Sequence, residues 1–131
     1  MDFRNFYIPT ILAGLAILTS ANHALAIGKG QYFGFQNNTQ GKTDNLTLRI
    51  EETYQCTEGT CFKGTINFPS AGFSDLVVGS SSGNQFTMRR YVGNGFNYVQ
   101  TFNGLTSATG ISGSWFTDPE PNNKGSFSVS P

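Results

Sequence analysis

Cys56 and Cys61 are the two cysteines of this 131-residue chain, separated by Thr57-Glu58-Gly59-Thr60. An even cysteine count in an exported protein points to a disulfide. The short glycine-containing connector suits a hairpin, so the bridge is expected to staple the end of the second strand to the third. A C-x4-C spacing without histidine or further thiols is a poor zinc or redox pair, and no metal or cofactor is expected. The other candidates are polar or aromatic side chains that share a parity with apolar neighbours. Glu52 lies between Ile50 and Tyr54, Arg90 follows Phe86 and Met88, and Gln100 lies between Tyr98 and Phe102. If that parity faces an interior, Glu52 and Arg90 either pair with each other or hold the polar part of a ligand, because a buried charge needs a partner; where a strand end or bulge intervenes, these side chains lie in solvent instead. Tyr98 shares a face with Phe102. Trp115 shares one with Ile111 and offers a stacking surface, unless it simply packs the core with Phe62, Phe68 and Phe102. Glu52, Arg90, Tyr98, Gln100 and Trp115 form the expected ligand-binding set.

Much chemistry is excluded. His23 is the single histidine and falls in an expected leader, which leaves the remaining chain without an imidazole for triad catalysis, neutral-pH proton transfer or most zinc sites. Glu51 and Glu52 are adjacent, so on one strand they face opposite sides and cannot flank one glycosidic bond. The loop Asp118-Pro119-Glu120-Pro121-Asn122-Asn123 is acidic, but its spacing matches no EF-hand. Eight Lys+Arg balance eight Asp+Glu, and setting aside Arg4 and Asp2 leaves seven of each. That balance gives no basic patch for nucleic acid. A non-enzymatic protein is therefore expected. Asn37 and Asn45 each begin an Asn-x-Thr sequon, which matters in a glycosylating host.

The elements that must position these residues begin after Met1–Ala26. Arg4, the apolar run Ile11–Leu18 and Ala24-Leu25-Ala26 have the pattern of a cleaved signal peptide, and the run is too short to span a membrane. Export to the periplasm or the extracellular space is expected, with one domain over 27–131. Fifteen of its residues are Phe, Tyr or Trp, and it has two alanines, Ala71 and Ala108. This composition suits strands. Alternation of period two runs through Leu46–Ile50, Phe62–Phe68, Phe86–Arg90, Tyr98–Phe102, Ile111–Trp115 and Phe127–Val129, with further apolar runs at Tyr32–Phe35 and Phe73–Val78. Turn chemistry lies between them at Asn37–Gly41, Glu58-Gly59, Pro69–Gly72, Ser80–Asn84, Gly93–Gly95 and Asp118–Lys124. About eight short strands with short connections predict an all-β antiparallel up-and-down barrel, with a β-sandwich as the alternative.

Gly30-Gln31-Tyr32-Phe33-Gly34, Ile111-Ser112-Gly113-Ser114-Trp115 and Gly125-Ser126-Phe127-Ser128-Val129 resemble the glycine-aromatic strands of avidin-like and lipocalin-like (calycin-type) barrels. The resemblance is one of strand rhythm over most of 27–131, and it implies a small molecule bound inside the barrel. Two functions are expected from different classes. The first is binding of a small apolar or amphipathic ligand. The second is a protein-interaction module, an inhibitor or surface-associated factor, acting through its loops. A cavity with Glu52, Arg90 or Gln100 reaching inward favours the first, and a filled interior with an exposed aromatic patch favours the second.

Overall fold

The computed structural model describes residues 27–131; the expected leader Met1–Ala26 lies outside the described residues. Eight strands follow one another: β1 (Gly30–Asn38), β2 (Thr43–Cys56), β3 (Gly59–Phe68), β4 (Phe73–Ser82), β5 (Gln85–Tyr91), β6 (Val99–Thr106), β7 (Ile111–Asp118) and β8 (Lys124–Ser130). Each pairs antiparallel with the next, and β8 pairs with β1, closing an up-and-down barrel. The barrel expectation holds and the sandwich alternative falls. Among the described residues closure gives every strand a neighbour on both sides, which suits a domain too small to cover its edges with helices.

The alternation seen in the sequence becomes the inner and outer face of the wall. Leu48, Ile50, Phe62, Ile66, Val77, Phe86, Met88, Phe102, Ile111, Phe127 and Val129 are buried in one core. Aromatic rings occupy its middle. Phe62 stacks on Phe86 with centroids 5.6 Å apart, and Phe127 meets Phe102 edge-on at 5.1 Å. Burying a side chain of this size contributes about 1.5–3 kcal/mol.

So narrow a barrel also needs places where the wall can bend inward, and inward-facing glycines supply them. A Cβ added to Gly34 would collide with the Ser128 carbonyl, and one added to Gly125 with the Asn37 carbonyl. At such corners neighbouring backbones approach more closely than any side chain permits.

Two local departures correct the sequence expectations. A bulge in β2 shifts the register between Ile50 and Glu52, so that Ile50 faces Gly64 while Glu52 faces Lys63. The extra residue flips the parity of everything after it. Thr53 now opposes the inward Phe62, while Glu52 and Tyr54 are exposed. Glu52 therefore leaves the expected interior set. The second departure is the hairpin at Cys56. Pairing continues to Cys56 opposite Gly59, which leaves Thr57-Glu58 as a two-residue turn instead of a four-residue loop. Gly59 adopts φ +118°, a conformation that side-chain-bearing residues rarely take, and so lets β3 start directly after the turn. The expected Cys56–Cys61 disulfide is formed across this hairpin, with Cα atoms 5.9 Å apart.

Candidate functional site

The barrel has two different ends. Where β1 begins, Tyr32 closes the interior: its hydroxyl donates to the Gly28 carbonyl at 3.1 Å and accepts from the Gly28 N–H at 3.2 Å. Ile27 packs against the core there. Where β1 ends, the inward positions change from apolar to polar. On β4, β5 and β6 the residues that follow the core parity to this end are Asp75, Arg90 and Gln100, and on β1 it is Gln36. All four are buried.

They form a continuous hydrogen-bonded relay. Arg90 Nε donates to Asp75 Oδ2 at 2.7 Å, and Arg90 Nη1 donates to Gln100 Oε1 at 2.8 Å. Gln100 Nε2 in turn donates to Gln36 Oε1 at 3.0 Å. Asp75 Oδ1 accepts the Gly93 N–H at 2.9 Å, which ties down the Val92–Gly95 loop. The Arg90 guanidinium also lies 4.5 Å from the centroid of the Phe68 ring, a favourable cation–π placement. Pairing of the two charges and of every relay oxygen is what makes so polar a cluster tolerable in a buried position.

Above the relay is a recess of about 280 Å³, lined by Gln36, Arg90, Tyr98, Gln100, Trp115 and Thr117, with Asn38, Lys42, Asp44, Val92 and Asn123 around its mouth. Its rim is held by polar contacts. Tyr98 Oη accepts from Asn123 Nδ2 at 3.2 Å and donates to Glu120 Oε1 at 3.3 Å, while Thr117 Oγ1 donates to the Glu120 carbonyl at 2.6 Å. The acidic proline-containing loop thus works as one wall of the mouth. Trp115 is 5% exposed. Its indole N–H lies 3.1 Å from the Ser126 carbonyl and 3.2 Å from that of Asn37. Its Cα partner on β8 is Gly125, so the barrel corner there carries no side chain against the indole.

Four of the five expected residues, Arg90, Tyr98, Gln100 and Trp115, therefore converge on one recess, and Glu52 does not. Trp115 serves both expected roles, as core and as lining. Gln36, Asp75 and Thr117 went unnamed although each carries the same parity signal: Gln36 follows Tyr32 and Gly34, Asp75 precedes Val77, and Thr117 follows Trp115 by two. Larger hollows exist, such as one of about 630 Å³ against Lys29, Gln31, Arg49, Glu51 and Thr65. Those five side chains are exposed or half-buried and sit on the outer wall. Among the described residues, the grouping with metal-ligand atoms closest together is Cys56, Glu58 and Cys61. The two sulfurs are bonded to each other and present no thiolate.

Fold and recess together define a class: a small closed antiparallel barrel of eight strands, consistent with calycin-type topology, with one sealed end and one polar mouth. Comparison with protein-family models, with curated proteins and with solved structures returns no match to this chain.

Proposed function

We propose that this protein is an exported, non-enzymatic binding barrel that holds a small amphipathic ligand at its polar mouth. The observation carrying the proposal is the convergence of Arg90, Gln100, Gln36, Trp115 and Tyr98 on one recess above a buried, hydrogen-bonded relay. A relay of this kind adds little net stability over apolar packing, yet it fixes donors in place. The filled aromatic middle argues against a wholly apolar guest enclosed by the barrel, so the amphipathic form of the expectation is retained. Its volume is just under the roughly 300–1,000 Å³ of sites that enclose drug-sized ligands. It therefore suits the head of a ligand, with the remainder lying along the rim. The leader pattern and the disulfide support export. Native mass spectrometry of the protein isolated from its own host tests this reading. A reproducible small-molecule adduct that Gln36→Met together with Gln100→Leu abolishes in a variant that still folds is the expected result. Persistent absence of any adduct across gentle conditions overturns it.

The second reading, a partner-binding module, is favoured by the filled interior together with exposed aromatic side chains. Phe96 is 79% exposed on the Gly95–Asn97 loop and stacks edge-on against Tyr91 at 5.0 Å, beside the outward Leu76 that pairs with Tyr91. Phe33 and Phe35 form another exposed pair on β1. Neither patch includes a buried polar group, and the mouth remains the preferred site.

A further inference from the structure

The relay also indicates what kind of atom the recess receives. A guanidinium has no acceptor, so Arg90 fixes the orientation of everything downstream. Gln100 must turn Oε1 toward Arg90 Nη1, which places its amide nitrogen toward Gln36. Gln36 must therefore present Oε1 to Gln100, and its own Nε2 becomes the free end of the chain. Every oxygen in the relay already takes an internal bond: both Asp75 oxygens, Gln100 Oε1 and Gln36 Oε1. Among the described residues no acceptor bonds Gln36 Nε2 or Arg90 Nη2. What the relay turns toward the recess is N–H donors.

Gln36 is 8% exposed, and its donors open onto the recess it lines. These donors keep contact with solvent through the recess, so a ligand that displaces that water must accept from them in its place. The charges around them cancel. Arg90 is held by Asp75 at 2.7 Å, and Lys42 lies 4.0 Å from Asp44 at the rim. A carboxylate entering here would find Arg90 already neutralised and only the exposed Lys42 at the rim, and an ammonium would face the spare N–H donors of Gln36 and Arg90. On the reading that the recess is the binding site, we infer that it receives an uncharged carbonyl oxygen, as in an amide, ester or ketone, carried on a small apolar body.

Four probes with one six-carbon chain separate the possibilities: hexanamide, hexanoate, hexylammonium and hexanol. Trp115 is the only tryptophan of the chain and lines the recess, so its emission reports binding, with calorimetry as a second readout. Hexanamide is expected to bind on the order of tenfold more tightly than hexylammonium, because its oxygen accepts from donors whose water it displaces and the ammonium cannot. Gln36→Glu keeps the oxygen that accepts from Gln100 but removes the spare N–H donors, and it is expected to reverse that preference. Gln36→Met, which conserves volume, is expected to weaken hexanamide without favouring hexylammonium, and it serves if the charged variant fails to fold.

Equal or tighter binding of hexylammonium or hexanoate by the unaltered chain overturns the inference while leaving a binding recess in place. No response to any of the four at about 10 mM, well above a millimolar Kd, also overturns it. The host-derived adduct separates the two claims. An adduct without a carbonyl group removes the inference alone, and no adduct at all removes the binding reading beneath it.

Discussion

At the sealed end of the barrel, Tyr32 caps aromatic and aliphatic side chains, the Cys56–Cys61 bridge pins the β2–β3 hairpin, and Thr106 is buried among them. At the mouth, the same inward parity carries Asp75, Arg90, Gln100 and Gln36. Polar atoms are treated differently at the two ends. The four residues of the mouth are joined into one relay. At the sealed end the Thr106 hydroxyl is buried with no hydrogen-bond partner among the described residues. One wall thus serves two purposes. Its sealed end and middle hold the fold, and its mouth holds donors in fixed positions at little gain in stability.

The largest expected effect that would break this contrast comes from splitting the ion pair. Asp75 is 2% exposed. Asp75→Ala strands the Arg90 charge and is expected to lower unfolding free energy by about 3–5 kcal/mol, measured by denaturant titration. Replacing both partners sharpens the point. Asp75→Leu with Arg90→Met is expected to recover part of that loss and to lie about 1–2 kcal/mol below the parent, because apolar packing replaces the ion pair while the Gly93 N–H and Gln100 Oε1 lose their partners. If that double variant is as unstable as Asp75→Ala, the mouth is a structural element first and the contrast between the ends fails.

Next in size is the sealed end's covalent tie. Cys56→Ser with Cys61→Ser opens a short loop and is expected to cost about 2 kcal/mol, with probe binding at Trp115 unchanged. Lost binding in a variant that still folds would show that the two ends are coupled. The smallest effect has the opposite sign. Thr106→Val keeps the shape and removes the orphaned hydroxyl, and it is expected to stabilise the chain by about 1 kcal/mol in thermal unfolding. A destabilised variant would mean that the hydroxyl is satisfied in solution.

Much of this was legible in the chain because a strand wall with one buried face writes its structure as period-two alternation. Leu46–Ile50, Phe86–Arg90 and Ile111–Trp115 announced their inward sides, and the turns fell where Gly, Asn and Pro cluster. Arg90, Gln100 and Trp115 followed from that rule. Glu52 did not, because a bulge adds one residue to one strand without changing composition, so the break in parity at Glu51 has no local signature. Asp75 was hidden for a different reason. Leu76-Val77-Val78 resembles a uniformly apolar run, whereas Leu76 faces outward at 37% exposure and Asp75 shares the inward side with Val77. Ser80–Ser82 resembled a turn but belongs to β4, whose pairing with β5 continues through Ser82 opposite Gln85. The relay itself was not readable, because it joins Gln36 to Gln100 across 64 positions.

The central claim, that the mouth and not the sealed end receives the ligand, is tested most directly by nitrogen-15 spectra of the chain titrated with whichever six-carbon probe binds. The side-chain amide resonances of Gln36 and Gln100 and the indole N–H of Trp115 are expected to move together, while the backbone signals of Cys56–Cys61 and Thr106 stay fixed. Shifts gathered at Tyr32, Thr106 and the disulfide hairpin, or on the outer face at Phe33 and Phe35, with Gln36 and Gln100 unmoved, would contradict it.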